Sequence, residues 1–317
     1  MKSKFGSILF LVFILIIGSC NDQPEEDKLS VPNTISVKAA AGLSDYWYQG
    51  KAELSYYSLE QNRYQETHPG EAVLIFVTED FLTDRQVKND RYQNPNSTPI
   101  LKTNVIRRFT TGLYDYSLMS SVFTPVDRDA FPHTLKVSSS AQDWCGQSWS
   151  QVNLKGKKYT QEVRSYFEQE GDQDNTVPAA ILEDELMNLL RMGPDYLPTG
   201  VVSVIPANHY LQLRHQEFKA YSAEAVIKDY VGEAIAGDGL KMYHLEIGSL
   251  QRTLQIVFNP KAPFLIEGWI ETYPSAFDDQ LRETIARRRS TIIEPYWKLN
   301  KKGDLDKRRD FGPILFE

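Results

Sequence analysis

Cysteine is nearly absent: only Cys20 and Cys145 carry a thiol among 317 residues. Cys145 alone lies past the first twenty residues, so a folded body has no partner for an internal disulfide and must be held by its core. Uncharged runs of membrane length are missing after Ile17, which excludes a chain that crosses a bilayer with several helices. A basic surplus is missing too. The 35 Lys and Arg against 42 Asp and Glu leave a formal charge of −7, which argues against a nucleic-acid partner. Histidine is sparse, and His209 and His215 share no carboxylate or cysteine at ligand-like spacing. No metal and no other cofactor is implied. No internal repeat is evident.

What is present begins with a leader. Lys2 and Lys4 precede an uncharged apolar run from Phe5 to Ile17, the order of a secretory signal and shorter than the roughly 20 residues of a permanent span. Ile17-Gly18-Ser19-Cys20 resembles the bacterial lipobox. That resemblance implies residues 1–19 as a signal peptide, cleavage between Ser19 and Cys20, and a lipid-bearing Cys20 that fastens the mature chain to a membrane. Residues 20–34 read as a flexible acidic tether, since Asn21 to Ser30 lacks aromatic residues. Its Asp22, Glu25, Glu26 and Asp27 resemble the acidic export signals of lipoproteins sent to the outer face of the outer membrane. The expected location is the cell envelope, at the outer membrane.

The body reads as mostly β. β-Branched and aromatic residues fill short segments parted by turn residues every 8–12 positions or so. Ala72–Thr78 is an apolar run suited to a central strand, and His68-Pro69-Gly70 before it reads as a turn. Further strands are expected at 100–109, 114–123, 148–154, 201–205, 209–213, 242–247 and 253–258, with a hairpin at Lys155-Gly156-Lys157. The spacing of Ala180, Ile181, Leu182, Leu186, Leu189 and Leu190 predicts a helix near 177–192. A second helix is expected near 278–293. Parallel pairing needs a long crossover, so the fold class is α+β with antiparallel sheet. The expected form is one strongly curved sheet, or two small β subdomains meeting near residue 175, with parts at 35–175 and 176–317. The C-terminal end is basic, from Arg282 and Arg287 to Arg309. It reads as a solvated helix face and tail, or as a surface for anionic lipid head groups.

The segments YWYQGKAELSYY, AVLIFVTEDF, YSLMSSVF, LKVSSSAQDWCGQSW, ILEDEL and IEGWIETY resemble, across most of the mature chain, a family of bacterial lipoproteins often labelled "septum formation inhibitor Maf". True Maf pyrophosphatases carry an N-terminal Ser-x-Ser-Pro-Arg-Arg type of loop, and no such run occurs here. The resemblance implies an envelope lipoprotein and no nucleotide chemistry.

Chemistry has one conspicuous segment, Gln142-Asp143-Trp144-Cys145-Gly146-Gln147-Ser148-Trp149. It resembles the papain-type Gln-x-x-Cys-Gly-Ser-Cys-Trp signature, with Ser148 in the attacking position. The last histidine, His244, falls short of the roughly 130 residues by which that family's base follows its nucleophile. Cys145 with His133, His209, His215 or His244 is the other nucleophilic arrangement. A cysteine between aromatic residues is more often simply packed. Aromatic residues make up 12% of the chain, enough for a binding surface, and Trp144, Trp149 and Trp269 are candidates to line one. Two functions stand. One is a non-enzymatic envelope lipoprotein binding a small molecule, glycan, lipid or envelope protein in a concave apolar cleft. The other is a hydrolase centred on Cys145 or Ser148 with a histidine.

Overall fold

The computed structural model describes residues 43–168 and 170–312. The expected signal peptide, its cleavage site at Ser19 and Cys20, and the expected tether lie outside them. All described residues fall in one compact unit, and the sheet and core described below lie within it.

The described residues are mostly β, with three short α-helices: α1 (Leu186–Met192), α2 (Asn208–Arg214) and α3 (Leu305–Phe311). The first half supplies β1 (Ala52–Arg63), β2 (Glu66–Leu82), the short β3 (Val87–Lys88), β4 (Ser97–Thr111) and β5 (Tyr114–Pro125). After these come β6 (Lys136–Gln142), β7 (Gln147–Lys155), β8 (Lys158–Ser165) and β9 (Gln173–Pro178). The second half supplies β10 (Ile181–Leu182), β11 (Gly200–Ile205), β12 (Tyr221–Asp229) and β13 (Lys241–Ile247). It ends with β14 (Arg252–Phe258), β15 (Ile266–Pro274) and β16 (Leu281–Glu294). β16 pairs with β1 along nine registered positions from Ala52↔Glu294 to Glu60↔Ile285. That seam joins the halves into one sixteen-stranded sheet running from β10 through β16 and β1 to β9. Of the two expected forms, the single curved sheet is the one observed.

Its two edge strands are consecutive in the chain. Only Ala179 and Ala180 separate β9 from β10, so the sheet curls until its ends adjoin, yet no ladder joins them. The curl encloses the core. Tyr57, Leu74, Phe76, Tyr243, Ile256 and Trp269, from strands in both halves, pack with Leu186, Leu189 and Leu190 of α1 in one buried cluster. β2 explains its own apolar run: Leu74 and Phe76 point into this cluster, whereas Ile75 and Val77 pack outward beneath Phe311 of α3.

Several expectations need correction. The helix expected at 177–192 begins only at Leu186. Ile181 and Leu182 instead pair in parallel with Val204 and Ile205, and the Glu185 carboxylate accepts from the Leu182 N–H at 3.2 Å. A buried edge ladder here overrides helical spacing, and α1 serves as the crossover that parallel pairing needs. The helix expected near 278–293 is strand β16, where Thr284 and Ala286 are buried two residues apart and ladders run on both sides. The strand expected at 209–213 is α2. His68-Pro69-Gly70 lies inside β2: Pro69 faces Glu60 of β1, while pairing with β4 starts only at Gly70. A proline with no ladder on its second side is tolerated. The basic C-terminal residues are largely paired, with Arg287–Glu60, Arg288–Glu267 and Arg282–Asp278 each at 2.6 Å.

Candidate ligand cleft

Helix α2 packs on β5 and β6 inside the curl, and carboxylates fix its start. Asp184 accepts from the Asn208 N–H at 3.1 Å and from Asn208 Nδ2 at 3.3 Å, and Glu183 accepts from the Ala207 N–H at 3.4 Å. His209, on the buried face, donates from Nε2 to the Ser140 carbonyl at 3.2 Å, with Nδ1 3.4 Å from Ser120 Oγ. Burial, helped by Arg107, lowers its pKa to about 4, so the imidazole is neutral. Beneath the helix, Arg252 forms a buried bridge to Glu183 and to Glu271 (3.1 Å), and Arg107 reaches Glu271 at 2.6 Å. Burial opposes ionisation of Glu271, but the two guanidiniums outweigh it and hold the carboxyl at about 2. A small hollow of about 60 Å³ lies among Gln61, Arg107, Asp184, His209, Glu271 and Tyr273, room for a few waters at most.

The outer side of α2 opens into two hollows. One, of about 340 Å³, is lined by Arg63, Tyr64, Tyr116, Phe167 and Phe277 together with Cys145 and Ser148. The other, of about 260 Å³, is lined mainly by amides: Gln161, Gln173, Asn175, Asn208 and Gln216. Both are lined by Glu170, Gln212 and His215, which therefore form a shared wall. Glu170 Oε1 stands 3.1 Å from His215 Nδ1. His215 closes α2 in the left-handed conformation, with φ of 51°, a backbone state uncommon for a side-chain-bearing residue. In the aromatic hollow, Arg63 lies over the Tyr64 and Tyr116 rings at 4.7 and 5.3 Å and donates to Tyr116 Oη at 3.3 Å.

The residues singled out in the sequence are dispersed. Cys145 is exposed on the rim of the aromatic hollow, in the turn where Asp143 Oδ1 accepts from the N–H groups of Cys145 and Gly146. Ser148 is buried in the same hollow, and its Oγ accepts from Gln212 Nε2. No hydrogen bond joins a histidine to either side chain among the described residues. His133 packs edge-on to Tyr159, with centroids 6.2 Å apart, and His244 lies 3.8 Å from Glu246; neither lines a hollow beside α2. His215 is the histidine that does. Trp144 and Trp149 are exposed and line neither hollow, while Trp269 is fully buried against Tyr57. The lining aromatics are instead Tyr64, Tyr116, Phe167 and Phe277 in the one and Phe218 in the other. Among the described residues no group of three or more His, Cys, Asp or Glu is placed to hold a metal ion.

Comparison of the chain with protein-family models, with curated proteins and with solved structures finds no match.

Proposed function

We propose that the chain is a ligand-binding lipoprotein of the bacterial cell envelope, anchored through Cys20, whose body holds a partly apolar ligand in the cleft beside α2. One observation carries this reading: an aromatic hollow and an amide-lined hollow adjoin across Glu170, Gln212 and His215. An apolar cavity with a few convergent polar groups is the ordinary form of a small-molecule site. The leader and lipobox support the location. The acidic residues after Cys20 favour the outer membrane, and the resemblance to envelope lipoproteins agrees with that place.

The neutral fluorophore N-phenyl-1-naphthylamine tests the cleft in the body comprising residues 31–317. Ala141 of β6 also lines the aromatic hollow, and saturable fluorescence that is lost in Ala141→Phe, a substitution that fills it, supports the site. Equal binding by both proteins refutes it.

A hydrolase is the second reading, favoured by Cys145 and His215 lining one hollow. Ser148 suits it less, because Gln212 already occupies its hydroxyl and a serine needs an adjacent base. A thiol activated by His215 alkylates faster than a free cysteine near neutral pH and loses that excess in His215→Ala.

A further inference from the structure

The amide-lined hollow has a direction to its hydrogen bonding. Asn175 Nδ2 donates to Gln161 Oε1 at 3.0 Å, Gln161 Nε2 to Asn208 Oδ1 at 3.2 Å, and Asn208 Nδ2 to Asp184 at 3.3 Å. This relay runs inward from the hollow to a carboxylate, and its middle member, Gln161, is only 5% exposed. Two more amides are pinned the same way: Gln212 Nε2 donates to Ser148 Oγ, and Gln216 Nε2 to the Arg214 carbonyl at 3.3 Å. In Asn175, Gln212 and Gln216 one N–H of the amide is thus engaged with the protein, which turns the carbonyl oxygen away from that partner. Their carbonyl oxygens have no protein partner among the described residues. No Lys or Arg lines the hollow, whereas Glu170 and Glu217 do.

A wall of oriented acceptors with no cation favours a ligand that brings hydrogen-bond donors, and it disfavours phosphate, sulfate and carboxylate, whose charge would meet unpaired oxygens. Donors come as hydroxyls or as ammonium groups. Neutral amides predominate among the polar groups of the wall, Glu170 is already hydrogen-bonded to His215, and Glu217 is paired with Lys219 at 2.6 Å, which favours hydroxyls. The adjoining hollow adds the rings of Phe167 and Phe277, apolar surfaces on which the C–H face of a pyranose can pack.

We propose that the amide-lined hollow binds the hydroxyl groups of an uncharged saccharide. This rests on reading the cleft as a ligand site. A hollow built to pair hydroxyls discriminates strongly against ligands that lack them, because its polar groups would be left unpaired.

The test exposes the body, residues 31–317, to a printed array of neutral, sialylated and sulfated glycans, with spermidine as a soluble amine probe. N-phenyl-1-naphthylamine is titrated in parallel. The expected result is binding confined to neutral glycans and weakened roughly tenfold in Gln212→Leu and in Asn175→Ala. Asn175 lies on the edge strand β9 and belongs to none of the hydrophobic clusters, so its replacement removes the hydrogen bond to Gln161 without opening a cavity in the apolar core. Binding of sulfated glycans or of spermidine in preference to neutral glycans overturns the saccharide assignment, as does neutral-glycan binding indifferent to both substitutions. The naphthylamine bound with no glycan bound overturns the assignment and leaves the cleft standing. Neither bound removes both.

Discussion

Glu170 and His215 meet at 3.1 Å and together form part of the wall between the two hollows. The pair is partly exposed, so its worth lies in geometry more than in stability. Glu170→Gln is expected to change unfolding free energy by less than about 1 kcal/mol. It should raise the dissociation constant for N-phenyl-1-naphthylamine several-fold by releasing the imidazole. Urea titration and fluorescence titration on the same variant separate the two effects.

Two groups at the start of α2, the half-buried Asp184 that caps it and the buried His209 within it, make stability depend on pH with opposite signs. Burial, with Glu183 alongside, raises the Asp184 carboxyl from its ordinary 3.8 to about 7, against the lowering pull of the Asn208 N–H, Arg107 and Arg252. Between those values the folded protein keeps a proton that the unfolded chain has released, so this contribution falls as pH rises from about 4 to 7. His209 does the reverse. The unfolded imidazole is protonated below its ordinary 6.5 while the folded one stays neutral to about 4, so stability falls as pH drops through that window. Relative to wild type, Asp184→Asn should gain up to ~3 kcal/mol between pH 5 and pH 8, and His209→Gln should gain in the acid direction. Urea unfolding at the two pH values checks both; differences that do not change with pH would contradict the assignment.

Arg252 holds two buried carboxylates at once, with Nε 3.0 Å from Glu183 and a terminal nitrogen 3.1 Å from Glu271. Arg252→Met leaves Glu183 without this partner and Glu271 with Arg107 alone. A loss of roughly 3–5 kcal/mol is expected. Adding Glu183→Gln should recover part of it, as a thermal unfolding series would show.

A Cβ on Gly70 would stand 2.3 Å from the Arg108 carbonyl oxygen of the neighbouring strand. Gly70→Ala must therefore push β2 from β4 at the start of their ladder, at a cost of about 1–3 kcal/mol. Gly303, where nothing lies within 4 Å, supplies the control substitution, expected to be near neutral on thermal unfolding.

The fold was legible where packing is two-sided or strictly alternating. Ala72–Thr78 is apolar on both faces because β2 lies between the inner core and α3, and the Lys155-Gly156-Lys157 hairpin follows from a glycine at φ 61°. β16 was not legible, because Ile285, Ala286, Ile292 and Ile293 admit a helical stripe as readily as a strand. Pairing with β1, more than 220 residues away in sequence, decides between them, and no local pattern carries that information. The same holds for α2, whose seven residues are too few to display a period.

The site was legible in halves. The turn bearing Cys145 stands out by composition, and that segment does rim the aromatic hollow. Its opposite wall comes from Glu170 in the connection after β8 and from Gln212 and His215 on α2, residues ordinary in their own neighbourhoods. Tyr64 joins them through a left-handed φ of 57° that no sequence rule announces for tyrosine. The tryptophans misled because ring size alone does not distinguish a core-filling Trp269 from a site-lining residue.

Cys145 gives the most direct measurement of whether the cleft takes a ligand, since it is the only thiol of the body and sits on the rim. The rate of its alkylation by iodoacetamide is followed in residues 31–317 with and without N-phenyl-1-naphthylamine. At a free probe concentration ~10 times its dissociation constant, occupancy of the cleft predicts roughly tenfold slower alkylation. The protection should be absent in Ala141→Phe. An unchanged alkylation rate while the probe is demonstrably bound would place the ligand elsewhere and contradict the account.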